Sequence, residues 1–147
     1  MSKRYNFVPP MGGLGYDWTA DHTFVKVAAG DTGGVYTLME DNLKPGFRLA
    51  RHLHRHHAET FYILQGAVNF EIDGDTMSAG QGACVHIPPG VPHAVWLAEG
   101  QTARMLMIFQ PSGFDQYLAE IAGFTAADFA DKAKMNALNE RYDIINL

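Results

Sequence analysis

Residues 23–109 alternate apolar and polar side chains in short runs, and from residue 114 onward apolar residues recur at helical spacing. Successive side chains on a strand point to opposite faces, so alternation marks one buried and one wetted face. The runs fall at 23–29, 35–43, 47–54, 59–65, 68–72, 84–87, 93–97 and 104–109. Turn-forming clusters separate them: Asp31-Thr32-Gly33-Gly34, Lys44-Pro45-Gly46, Gly66, Asp73-Gly74-Asp75, Gly80-Gln81-Gly82, Pro88-Pro89-Gly90 and Glu99-Gly100. Asp73-Gly74 is a strong hairpin signal, because these residues accept the positive φ angles of a tight turn. Strands this short and this regularly punctuated predict a β-sandwich or small barrel.

The flanks differ from this body. Residues 1–20 hold Pro9, Pro10, Gly12, Gly13 and Gly15 and read as an irregular arm with a short edge strand. Beyond Pro111-Ser112-Gly113, segments 114–121 and 125–142 predict two helices, the second opened by Thr125 as N-cap with Asp128 in its first turn. The expected organisation is one domain over 1–147: an arm (1–20), a β core (21–111) and C-terminal helices (112–147). The apolar face along 114–129 fits either this chain's own β body or a second copy.

Composition narrows the function. Hydrophobic residues make up 47% of the 147-residue chain and charged residues 18%, as in ordinary globular proteins. The net charge of −5 argues against nucleic-acid partners, which need clustered Lys and Arg. No run reaches the roughly 18 apolar residues of a membrane span, and the polar start has no apolar signal core. The single cysteine, Cys84, excludes an internal disulfide and is expected to be buried and inert. A cytoplasmic protein without nucleic-acid or membrane partners is the expectation.

The candidate chemistry lies in two stretches. The first runs Gly46, His52-Leu53-His54, Glu59, Gly66; the second runs Gly82, Pro88-Pro89-Gly90, His93. His52 and His54, two apart on a strand, aim into the same space, while Glu59 and His93 come from other strands. Three imidazoles and a carboxylate are a ligand set for a divalent transition metal, with one or two positions left open. Glu59 reads either as a fourth ligand or as a catalytic carboxylate that takes a proton from the substrate. Arg48 shares strand parity with His52 and is a candidate anchor for a substrate oxyanion. Phe61, Ile63 and Val95, with Phe70, Leu106 and Ile108, are candidates for the pocket wall, although each reads equally as core. His86 is either a substrate contact or a structural hydrogen-bonding residue. His56 and His57 read as solvated loop residues.

The first stretch resembles the first cupin motif, Gly-x5-His-x-His-x4-Glu-x6-Gly, at every position. The second resembles the second motif, Gly-x5-Pro-x-Gly-x2-His-x3-Asn, except that Leu97 stands at the last position. The surrounding residues are similar to small single-domain cupins grouped with quercetin dioxygenase-like proteins. The resemblance implies an all-β double-stranded β-helix (a jelly-roll barrel) with a short helical tail, and His52, His54, Glu59 and His93 as ligands of one Fe, Mn, Ni, Co, Cu or Zn ion. It also implies a homodimer and a small-molecule substrate. The expected activity is that of a metal-dependent dioxygenase on a small aromatic or enolisable oxygenated compound. The alternatives are a non-redox isomerase, lyase or hydrolase and a non-catalytic binding module.

Overall fold

The structure is a computed structural model that describes residues 3–147; the first two residues of the expected arm lie outside the described residues. The strands are β1 (Leu14–Asp17), β2 (Asp21–Val27), β3 (Thr37–Leu43), β4 (Arg48–Leu53), β5 (Ala58–Gln65), β6 (Ala67–Ile72), β7 (Asp75–Gly80), β8 (Cys84–Ile87), β9 (His93–Trp96), β10 (Ala103–Gln110) and β11 (Ile145–Asn146). Three helices, α1 (Phe114–Ile121), α2 (Ala126–Ala130) and α3 (Lys132–Arg141), separate β10 from β11. The strands form a six-stranded sheet in the order β1-β2-β3-β10-β5-β8 and a five-stranded sheet in the order β11-β4-β9-β6-β7. Every pairing is antiparallel, so the chain is an all-β, two-sheet jelly roll with a small helical tail, as expected.

Alternation decides which side chains fill the space between the sheets. Along β5, Glu59, Phe61 and Ile63 point inward while Thr60 and Tyr62 face out. Phe61, Ile63, Val68, Phe70, Val95, Met39 and Met105 are fully buried and make up the centre of the core. In β10 the inward set is Ala103, Met105, Met107 and Phe109. Leu106 and Ile108 therefore sit on the outer face, not on a pocket wall. Phe61→Ala-type truncations at this centre typically cost about 3–5 kcal/mol.

Several boundaries differ from the expectation, each for a local reason. Strand β7 follows the Asp73-Gly74 turn, whose two residues take φ of 51° and 93°, yet only its Ala79 is buried. As an edge strand it needs no apolar face, so alternation does not reveal it. The second expected helix breaks at Asp131, which is extended (ψ 98°) and accepts a hydrogen bond from Lys134 N at 3.1 Å to cap α3. Thr125 caps α2 in a reciprocal box with Asp128, as its spacing predicts. Helix α1 lays Phe114, Tyr117, Leu118 and Ile121 on this chain's own core. Cys84 is exposed at the sheet edge, because Val85 and Ile87 take the inward parity of β8. Among the described residues no helix is long and apolar enough to cross a membrane.

Candidate metal centre

His52 lies near the end of β4, and His54 follows immediately after the strand. Glu59 lies at the start of β5 and His93 opens β9. Cross-strand pairing sets His52 directly opposite His93, and Glu59 faces Phe109 on β10. One ligand atom from each of His52, His54, Glu59 and His93 falls within 4.8 Å of all the others. The four are enclosed: His93 is 1% exposed, Glu59 3%, His54 5% and His52 9%.

The imidazoles are oriented by their outer nitrogens. Nδ1 of His52 donates to the Ala50 carbonyl at 2.7 Å, that of His54 to the Asp143 carbonyl at 2.9 Å, and that of His93 to the Val91 carbonyl at 3.0 Å. With every Nδ1 committed, the three Nε2 atoms are the ones left to face inward, the arrangement that fixes tautomer and ring direction at metal sites. Glu59 Oε2 lies 3.1 Å from His54 Nε2 and 2.9 Å from His93 Nε2. Two ligands at right angles on an ion with bonds of about 2.1 Å are about 3.0 Å apart. The side chains are thus already spaced as neighbouring corners of a coordination polyhedron, and they fit a divalent ion.

The same contacts set the charges. Burial pushes the Glu59 carboxyl up, but hydrogen bonds and charge from His54 and His93 outweigh it and hold the pKa at about 2. Burial pushes His54 down; the Glu59 carboxylate and the Asp143 carbonyl more than offset this and raise it above 6.5. His52 lacks such a partner, and burial lowers it below 6.5.

A cavity of about 200 Å³ opens beside His52, His54 and Glu59. Its inner wall is Leu49, Met107 and Phe109; its outer wall comes from the C-terminal segment through Phe114, Tyr117, Asn139 and Ile144. Phe109 and Phe114 stack with ring centres 4.3 Å apart, and Tyr117 continues the stack at 5.1 Å from Phe114. The Tyr117 hydroxyl donates to Asn139 Oδ1 at 3.1 Å. Among the described residues, none lining this cavity is Lys or Arg.

Four expected pocket contacts lie elsewhere, and so does Arg48. Pairing of β4 with β9 runs Arg48↔Trp96 and Leu49↔Val95, then slips by one residue before His52↔His93. This β-bulge inverts the parity that would have aimed Arg48 inward; Leu49 takes the cavity side and Arg48 is exposed. Phe61, Ile63 and Val95 are wholly buried in the core and do not reach the cavity. His86 lies on the outer sheet face, opposite Thr60, with which its Nδ1 shares a 2.8 Å hydrogen bond. His56 is exposed as expected, but the ring of His57 is half-buried and donates to Asp143 Oδ2 at 2.8 Å. The helical side of the pocket was missed. Its one sequence signal is the aromatic spacing Phe114, Tyr117 on an amphipathic helix, which points to a packed face but not to what it packs on.

Residues 39–109 match the family model described as Cupin domain, and this chain is a small cupin protein. It is 27% identical over 93 residues to quercetin 2,3-dioxygenase of Bacillus subtilis (strain 168), a stretch covering 63% of this chain and 27% of that protein. The chain thus spans about a quarter of that relative's length. Among solved structures, it superposes on the polyketide cyclase RemF from Streptomyces resistomycificus with a TM-score of 0.65 at 21% identity, covering 74% of this chain and 80% of that one. It matches KdgF from Halomonas sp. with a TM-score of 0.65 at 17% identity, covering 76% of this chain and 99% of that one. Both structural likenesses are likenesses of fold.

Proposed function

We propose that this cupin is a metal-dependent dioxygenase acting on a small, neutral aromatic or enolisable compound that carries at least one hydroxyl or enol oxygen. The observation that carries the reading is the convergence of three oriented imidazoles and one carboxylate on the floor of an aromatic, cation-free cavity. A divalent Fe, Mn, Ni, Co or Cu ion bound by His52, His54, Glu59 and His93 would supply Lewis acidity toward a substrate oxygen and redox capacity toward dioxygen. Sequence similarity to a quercetin 2,3-dioxygenase supports the same class.

The chain's own residues then have distinct tasks. Phe109, Phe114 and Tyr117 offer a stacked aromatic wall against which a planar ring packs, and such contacts are worth about 0.5–1.5 kcal/mol each beyond burial. Tyr117 and Asn139 offer polar atoms on the wall away from the His cluster, suited to a second substrate oxygen. Glu59 serves as a ligand first: a carboxyl held at about 2 stays ionised at neutral pH and is a weak base. To take a proton from the substrate it must first give up its contacts with His54 and His93. Away from the ion, the cavity offers no Lys or Arg to a second anionic group, so a substrate with a single oxyanion suits it better than a diacid.

The test is oxygen uptake. The protein is loaded in turn with Fe, Mn, Ni, Co and Cu and offered flavonols, catechols and 1,3-diketones at an oxygen electrode. Oxygen consumption with one metal and one of these classes, abolished in His52→Ala/His54→Ala, is the expected result. Conversion of substrate without oxygen consumption overturns the dioxygenase reading in favour of a lyase or isomerase. Binding without any turnover leaves a sensor module.

A further inference from the structure

One residue far from both motifs contacts the His cluster and the loop beside it, and the proposed function gives it no role. Asp143 lies just beyond α3, in the left-handed region at φ 60°. Its carbonyl accepts the Nδ1 proton of His54 at 2.9 Å. Its carboxylate accepts from Arg55 N at 2.8 Å, His56 N at 2.8 Å, His57 N at 3.1 Å and His57 Nδ1 at 2.8 Å. Those four donors belong to the loop that joins His54 to Glu59. The His52 and His93 rings, by contrast, take their outer partners from two residues earlier in their own segments.

We infer that Asp143 is a positioning residue of the metal centre: its carbonyl orients His54, and its carboxylate fixes the 55–57 loop that spaces His54 from Glu59. The inference rests on the metal-binding reading of the four residues. Asp143 is itself held from both sides. Its N–H donates to the Glu140 carbonyl at 3.1 Å, at the end of α3. Beyond it, β11 pairs Ile145 with Leu53 and Asn146 with His52, and Leu147 N donates to the Arg51 carbonyl at 3.1 Å. The C-terminal segment therefore grips β4 on the strand that carries His52 while Asp143 grips the loop beyond His54. Asp is also one of the few residues other than Gly that takes φ near 60° readily, so one side chain satisfies the backbone and the loop together.

Two variants separate the carboxylate from the backbone. Asp143→Gly keeps the φ angle and removes the carboxylate. Asp143→Asn keeps the φ angle and the shape but offers one acceptor oxygen where four donors need two. The readouts are Co2+ affinity by chelator competition and the visible ligand-field spectrum of bound Co2+, each beside thermal unfolding of the chelated protein. The expected result for Asp143→Gly is a loss of about 10-fold in Co2+ affinity with a shifted spectrum, the low end of the cost of disturbing a ligand's support, because the carbonyl on His54 stays while the loop that spaces it from Glu59 is released. Asp143→Asn should fall between that variant and wild type in both readouts. A purely structural role would lower the unfolding temperature and leave the spectrum unchanged, and that result overturns the inference. If Asp143→Gly does not fold, Asp143→Asn decides alone, and wild-type affinity with a wild-type spectrum overturns it. Failure of the wild type to bind Co2+ would instead overturn the metal reading itself.

Discussion

Metal uptake should expel one proton from His54, and the affinity for the ion should fall about tenfold for each pH unit below the pKa of that ring. The reason lies in the two hydrogen bonds of the imidazole. Nδ1 donates to the Asp143 carbonyl at 2.9 Å, and Nε2 lies 3.1 Å from Glu59 Oε2. Both contacts favour the protonated ring. Burial opposes that charge, but Glu59 and the Asp143 carbonyl more than compensate, so the pKa lies above 6.5. A metal needs the Nε2 lone pair, so the Nε2 proton must leave. His52 behaves in the opposite way: burial lowers its pKa below 6.5, so the neutral ring prevails at pH 6.5 and above. Between pH 6.5 and the raised pKa of His54, these two rings together release one proton, and the logarithm of affinity should rise with pH at a slope of about one. Chelator competition with Co2+ from about pH 6 to about pH 8 measures the slope, and an indicator dye in weak buffer counts the proton. Flat affinity with no proton released would show that the His54 ring is already neutral before the ion binds, and would refute the reasoning. Stability of the chelated protein moves the other way: a pKa raised on folding contributes stability that is present below about pH 6.5 and lost as pH rises through the folded value.

Glu59→Gln should flatten the acid limb of stability in chelated protein. The folded carboxyl stands at about 2 against an ordinary 4.5, which at about 1.4 kcal/mol per pH unit is a contribution of about 3 kcal/mol. That stability is present above pH 4.5 and lost as pH falls toward about 2; urea denaturation of both forms across this range checks it, and equal slopes would refute it. Arg48→Ala should leave KM for aromatic substrates unchanged, whereas Phe114→Ala should raise it about tenfold, the equivalent of one lost aromatic contact; steady-state kinetics on the metal-loaded enzyme compares them. Phe61→Ala should cost about 3–5 kcal/mol of stability through the cavity it leaves, with metal content by elemental analysis unchanged in the folded fraction.

The two motifs made the ligand cluster legible because spacing on strands carries direction: i and i+2 share a face, and His52 and His54 do so. The same rule placed Glu59 beside Phe61 and Ile63. It failed at Arg48, because one unpaired residue between Leu49 and His52 reverses parity and leaves no mark in composition. It failed for Leu106 and Ile108 because Met105, Met107 and Phe109 are equally apolar, so β10 reads as buried on either register. The helical side of the pocket was illegible for a different reason. Phe114, Tyr117 and Asn139 are brought to the cluster by chain folding over some 50 to 90 residues, a pairing that no local pattern encodes. Asp143 is the extreme case, a single polar residue in a tail whose partners lie 86 to 89 positions away.

The bulge in β4 has a bearing on how relatives of this chain compare with one another. Residue type at position 48 says nothing about pocket charge until the pairing of residues 48–52 with β9 is known. A relative with one more residue between 93 and 95 would pair in continuous register and turn a basic side chain at 48 to the face that carries His52. A single-residue insertion in β9 therefore changes what position 48 offers the pocket, even where every letter of β4 is the same.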